Sequence, residues 1–173
     1  MSIQTRSAVQ RVDPAVSLDD FEAVYERHYQ DLYRTVRGIV LDDALAEDVV
    51  QNAFVKAYRN RDRYQPTGSL AAWLNRIAVR EAISALRWRA LQERVLSALP
   101  LRTTQAAADS SLGDLLSQLL KELNPGARAA LVLHFLHGYR FREVAEILGI
   151  PEGTVATRVA NGLRKMRKIL DND

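Results

Sequence analysis

Apolar residues recur at helical spacing through most of this chain, and no useful run alternates with the two-residue period of a half-buried strand. The first stripe runs Leu18, Phe21, Tyr25, Leu32, Val36 and Ile39, widened by Val24, Tyr29 and Tyr33. Ser17 stands at its N-cap, with Asp19 and Asp20 in the first turn, where acids suit the helix dipole. Asp42 and Asp43 open a second helix with Leu45, Val49, Ala53, Phe54 and Ala57 on one face. A polar break at 60–68, holding Pro66 and Gly68, separates it from a third helix capped by Ser69. Leu70, Trp73, Leu74, Ile77, Ala78, Ala85 and Leu86 form that helix's stripe, and three such amphipathic helices can bury a shared core.

The pattern fades after about Val95, and the small polar stretch 102–111 reads as a flexible linker. It resumes with Leu112, Leu115, Leu116, Leu119, Leu120 and Leu123. Asn124 followed by Pro125 is an N-cap with proline at the first helical position; Ala127, Leu131, Phe135 and Leu136 supply the next stripe, and Gly138 stops it. The organisation expected is all-α: a disordered tail at 1–16, a small helical domain at 17–96, a linker at 97–112 and a second small helical domain at 113–173.

The sharpest motif lies between Phe141 and Lys168. Val144, Ala145 and Leu148 give a short helix a packing face, and Gly149 supplies the left-handed residue that a tight turn needs. Ile150 plugs the core, Pro151 opens the next helix at its first position, and Val155 and Val159 anchor that helix inward. This is the mechanics of a helix-turn-helix. The outer face carries Thr154, Ala156, Thr157, Arg158 and Asn161, short groups and a cation able to reach base edges. Arg142, Arg164, Lys165 and Lys168 are candidates for phosphate contacts.

Charge sharpens this reading. The net charge is only +3, but acidic residues dominate 13–48, while Lys56, Arg59, Arg61, Arg63, Arg76 and Arg80 belong to a basic block, and the C-terminal end is basic again. Two separated basic blocks suit two contacts with a polyanion. The absence of cysteine removes disulfides, thiolate catalysis and zinc–thiolate sites together. His134 and His137 are three apart on a helix but have no third ligand in view, so no metal is expected. No nucleophile–base arrangement and no phosphate-cradling loop can be recognised, so neither enzymatic activity nor a cofactor is expected. No apolar run approaches the ~20 residues a bilayer demands, and the first residues lack the apolar core of a secretory signal, which points to the cytoplasm.

These segments carry a family resemblance. Residues 123–133 followed by 143–159 resemble the fourth region of extracytoplasmic-function sigma factors, bacterial sigma-70 relatives. The segment AEDVVQNAFVKAYR at 46–59 resembles their second region, and SLAAWLNRIA at 69–78 its continuation. The resemblance implies a factor that binds RNA polymerase core, through the clamp helices of the large subunit and the flap of the second large subunit, and directs it to promoter DNA. It implies that the helix-turn-helix reads the minus-thirty-five element as duplex, and that the first half reads the minus-ten element as melted strand. Asp48, Gln51, Asn52 and Phe54 then match the core-docking face. Lys56, Arg59, Arg61, Arg63, Tyr64, Trp73, Arg76 and Arg80 lie where strand contacts fall. The loop at 61–69 corresponds to the family loop that captures an extruded base, whose unstacking costs a few kcal/mol. An anti-sigma factor is a partner the resemblance also implies.

Five positions depart from the family pattern: Asn52 stands for the usual Glu, Arg80 and Ser84 for Asn and Asp, Arg140 for a capping Ser, and Ala156 for Lys or Arg. Trp73, at helical spacing, reads as core before it reads as a stacking platform, whereas Tyr64 in its polar loop suits either role. Two other readings stay open here: a sigma-like adaptor that sequesters an anti-sigma factor, and a dimeric helix-turn-helix regulator. The first should have lost basic residues such as Arg158; the second gives no reason for the Asp48–Gln51 and Trp73–Leu74 motifs.

Overall fold

The structure, a computed structural model, describes residues 20–65, 69–97 and 112–171, with side chains described over 20–65, 69–95 and 115–171. Those residues form helices and turns, with no strand among them. In chain order the helices are α1 (Phe21–Val40), α2 (Asp43–Arg59), a 3-10 turn (Arg61–Arg63), α3 (Leu70–Ser97), α4 (Leu112–Lys121), α5 (Pro125–Leu131), a π-helical turn (Val132–Leu136), α6 (Phe141–Leu148) and α7 (Glu152–Leu170).

Local chemistry sets the boundaries. Ser17 and Leu18 lie outside the described residues; the cap of α1 is Asp20, whose carboxylate accepts from the Ala23 N–H at 3.2 Å. Asp42 caps α2 in the same way, through Leu45 N–H at 3.0 Å, and Ser69 caps α3 through Ala72 N–H at 3.1 Å. Asn124 caps α5 through Ala127 N–H at 2.9 Å, with Pro125 directly after it. The linker expected at 97–112 is trimmed at both ends, because α3 runs to Ser97 and α4 opens at Leu112; residues 98–111 lie outside the described residues.

Helices α1 to α3 pack on one another around Val24, Leu32, Val36, Ile39, Val50, Phe54, Leu74 and Val79, all buried. Helices α4 to α7 pack around Leu123, Leu131, Leu133, Val144, Ile147, Val155 and Val159. Three expected stripes are corrected. In α3, Val79 and Ala82 are buried while Ala85 and Leu86 are half-exposed, and beyond them the helix runs on with every described side chain exposed. In α4, Leu115 and Leu116 are exposed, whereas Leu119 and Leu120 are buried. Phe135 and Leu136 are exposed, at 61% and 52%, and Val132 and Leu133 are buried in their place. The cause of the last is the π-helical turn: closing hydrogen bonds at i→i+5 rather than i→i+4 rotates the following residues out of phase with an α-helical stripe.

The two groups of helices also pack against each other: α1 touches α5 and the π-helical turn, and α3 touches α5 and α6. This seam, which hydrophobic periodicity does not reveal, holds four polar side chains. Thr35 Oγ1 lies 2.6 Å from His137 Nε2 and 3.1 Å from Asn75 Oδ1, and Asn75 Nδ2 lies 3.4 Å from the Tyr139 hydroxyl. Thr35 and Asn75 are 0% and 2% exposed, so in this packing water does not reach them.

Candidate nucleic-acid interfaces

The helix-turn-helix is built from the turn outward. Gly149 ends α6 at φ 65°, where its own N–H and that of Ile150 both close on the Ala145 carbonyl, the closure typical of a helix ended by a left-handed residue. Pro151 is the N-cap of α7 rather than its first helical residue, since its ψ of 146° is extended. Its carbonyl accepts from Thr154 and Val155 N–H, so the proline still starts the helix, one position earlier than expected. Arg140 at the start of α6 replaces the usual hydroxyl cap, but its backbone N–H is bonded by Glu143 Oε2 at 2.7 Å, so half of a capping box remains.

At about 100° per residue, Val155, Val159 and Gly162 put one side of α7 in the core. The opposite strip is Thr157, Asn161, Arg164 and Lys168, all exposed. Arg164 Nη1 is held by Asn161 Oδ1 at 2.9 Å, and Thr157 Oγ1 donates to the Gly153 carbonyl at 2.8 Å, which orients both groups outward along one line. The other candidates sit off this strip. Arg158 is half-buried on the flank beside α5, its Nη1 2.7 Å from where a Cβ on Gly126 would lie. Lys165 is tied to the Glu122 carbonyl and lies 3.6 Å from the Glu122 carboxylate. Thr154 and Ala156 are half-buried, and Arg142 pairs with Glu146 one turn along α6.

The first half offers a basic cleft of about 370 Å³ lined by Lys56, Asn60, Arg63, Trp73, Arg76 and Arg80, among others. Trp73 is half-buried and packs against Tyr64 with ring centroids 5.3 Å apart, so both expected roles meet in one aromatic pair at the edge of the cleft. Lys56 is held by Glu81 at 2.6 Å, across α2 and α3. Arg61 turns back, donating to the Tyr58 carbonyl at 2.9 Å with its guanidinium 4.3 Å above the Tyr58 ring. Arg59 and Arg63 are exposed.

A third surface lies on α1 and α2. Asp48, Gln51 and Asn52 are exposed together on α2. Phe54 does not join them as a projecting side chain. It is 3% exposed, because Phe21, Tyr25 and Tyr29 of α1 close around its ring with centroids 4.7 to 6.5 Å away. It floors an apolar groove whose rims are Phe21, Tyr25, Gln51, Val55 and Tyr58. The exposed Val55 and Tyr58 were not singled out by sequence; their positions at i+4 and i+7 from Gln51 were the available signal.

Among the described residues no helix is long and apolar enough to cross a membrane, and no three His, Cys, Asp or Glu side chains come together as a metal site would require. The histidines singled out by spacing are engaged separately, His134 Nδ1 with the Tyr139 carbonyl at 2.7 Å and His137 with Thr35.

Residues 24–91 match the family described as Sigma-70 region 2, and residues 113–166 that described as Sigma-70, region 4. Over 156 residues the chain is 33% identical to the RNA polymerase sigma factor CarQ of Myxococcus xanthus, covering 88% of this chain and 90% of that one. It is 31% identical to the ECF RNA polymerase sigma factor SigE of Mycolicibacterium smegmatis, over 89% of this chain and 63% of the relative. Among solved structures it is similar to the sigma factor RpoE, in complex with the anti-sigma factor NepR, from Bartonella quintana, with a TM-score of 0.73 over 90% of this chain and 99% of that one; at 23% identity this likeness concerns the fold alone.

Proposed function

Because the chain belongs to the sigma-70 family of RNA polymerase sigma factors, in its extracytoplasmic-function group, we propose that it joins polymerase core and directs it to promoters through two separate DNA-reading surfaces. The observation that carries this reading is the pairing of an exposed polar strip on α7, opposite a buried valine face, with a basic cleft that holds an aromatic pair. The strip of Thr157, Asn161, Arg164 and Lys168 has the width of one helix face, which is what a major groove admits. The Lys56–Arg80 cleft suits a melted strand: cations for its backbone and a tilted Tyr64–Trp73 pair for a base. Asp48, Gln51 and Asn52, with the groove above Phe54, form the face assigned to core docking.

Strand opening in this scheme draws on binding energy. The extruded base must recover a few kcal/mol of stacking in the cleft. An anti-sigma protein is the further partner assigned to the chain, in line with the complex in which RpoE was solved.

Purified chain mixed with bacterial core polymerase and a promoter library tests this. Transcripts starting at a shared pair of sequence elements are expected; no co-elution with core and no transcript from any member would reject it.

A further inference from the structure

Among the described residues that line the basic cleft, Glu81 is an acid set among the cations Lys56, Arg63, Arg76 and Arg80. On α3, Trp73, Arg76, Ile77, Arg80 and Glu81 fall at i, i+3, i+4, i+7 and i+8, so they share the helix face that meets the cleft. Lys56 and Asn60 come from α2, one turn apart. Lys56 Nζ spans the two helices by donating to Glu81 Oε1 at 2.6 Å. Arg76 Nη2 donates to the Glu146 carbonyl on α6 at 2.7 Å.

Neither folding nor phosphate binding accounts for this carboxylate. The Lys56 side chain is 53% exposed and that of Glu81 21%, and an ion pair so open to water adds little to stability. Helices α2 and α3 already pack through their apolar core. Towards a strand backbone Glu81 is unfavourable twice over, since it repels phosphate and draws on the charge of Lys56. What a carboxylate can do in a nucleic-acid cleft is accept hydrogen bonds from a base.

The donor pattern of the bases singles out guanine. A melted base offers its Watson–Crick edge. On that edge guanine presents the acceptor O6 and then two adjacent donors, N1–H and N2–H, whereas the other bases present a single donor group. The Glu81 carboxylate has about four lone-pair sites, of which Lys56 takes one, so both oxygens can still accept. The ammonium of Lys56 stands beside them to meet O6. Position separates this base from one lodged at the aromatic pair: Trp73 and Glu81 are eight residues apart on α3, about 12 Å along the helix, or more than three stacked-base steps of about 3.4 Å.

We propose that the Lys56–Glu81 pair is a guanine reader, a second base-recognition point that selects guanine in the melted strand through its Watson–Crick edge. The inference rests on the strand-reading role proposed for the cleft.

The test uses the full chain assembled with bacterial core polymerase, with core alone as the blank. The probes are fluorescein-labelled oligothymidylates carrying one central dG, one central deoxyinosine, or neither. Deoxyinosine keeps O6 and N1–H but lacks the 2-amino group. The wild type should bind the dG strand at least about tenfold more tightly than the deoxyinosine strand, the loss of one hydrogen bond to a charged acceptor. In Glu81→Ala that ratio should fall to about one, while affinity for the all-thymine strand holds or rises because a repulsive charge is gone. Glu81→Gln keeps the shape and one acceptor oxygen, and its ratio should lie between the two. Each ratio is taken within one variant, so a partly unfolded population cancels from it. A ratio near one in the wild type, or a ratio that Glu81→Ala leaves unchanged, overturns the guanine reader and leaves strand binding standing. No binding of any strand above the core blank rejects the strand-reading role itself, and this inference with it.

Discussion

The Thr35 hydroxyl and the His137 imidazole, 102 positions apart in the chain, meet at 2.6 Å and join the two helical halves. Thr35 Oγ1 is also 2.9 Å from the Asp31 carbonyl and 3.1 Å from Asn75 Oδ1, both acceptors, so its proton goes to one of them. His137 Nε2 therefore carries the proton of this contact and donates it to Thr35.

Burial of the His137 imidazole makes the seam sensitive to acid. Burial lowers the His137 pKa, the Arg34 charge on α1 acts the same way and Asp31 opposes; Asn75 of α3 and Tyr139 complete the surroundings. A folded pKa below the unfolded value means that the opened chain binds the extra proton. The seam is thus strongest above about pH 6.5 and weakens as pH falls through that value. Between about pH 7.5 and pH 5.5 the radius of gyration should rise in the wild type, and a His137→Gln variant should flatten that rise. Equal pH profiles would mean that His137 does not govern the seam, since His28 and His134 are kept in both chains.

The two C-terminal lysines should separate on duplex DNA. Lys168 is exposed on the outward strip of α7, whereas Lys165 is held by Glu122. Lys168→Ala should flatten the dependence of log affinity on log salt by about 0.9, the value for one lost phosphate contact, and Lys165→Ala by less. Anisotropy titrations of a mixed-sequence duplex at several salt concentrations decide it; a larger loss for Lys165→Ala would reverse the assignment.

Phe54 and Gln51 neighbour each other on α2 but should fail differently. Truncating Phe54 to Ala empties the centre of the α1–α2 aromatic cluster and should cost about 3–5 kcal/mol in denaturant unfolding. Gln51→Ala, at the exposed rim, should leave stability within about 0.5 kcal/mol while weakening co-elution with core polymerase. A stable Phe54→Ala chain would contradict the packing described.

Gly149 isolates a backbone effect. The space around an added Cβ is open, the nearest contact being Arg80 Nη2 at 3.8 Å, so Gly149→Ala pays only for φ 65°. A loss of about 1–2 kcal/mol in urea unfolding is expected. A neutral result would mean the turn between α6 and α7 can close without a left-handed residue.

Most helix positions, the Ser69 and Asn124 caps and the helix-turn-helix were legible from sequence because each rests on local chemistry, whereas α1 is capped by Asp20 and not by the Ser17 expected there. The candidate site was legible only as a set of residue types. Sequence put Arg158 and Lys165 with Asn161 and Arg164, and contacts with α5 and with Glu122 just after α4 hold the first two on the flank. It put Phe54 with Gln51, and the rings of α1 bury the phenylalanine.

What the sequence alone determined is what a helix can know about itself, since periodicity reports which side of each helix is apolar and capping reports where it ends. It did not report which apolar sides meet. The seam escaped because its groups, Thr35, Gly38, Asn75 and His137, are too polar or too small to register as a stripe. The π-helical turn escaped because an i→i+5 bond depends on what surrounds the helix. Only the tertiary structure, by bringing α6 onto α3, decided that Arg76 of the basic cleft rests on the carboxyl end of α6.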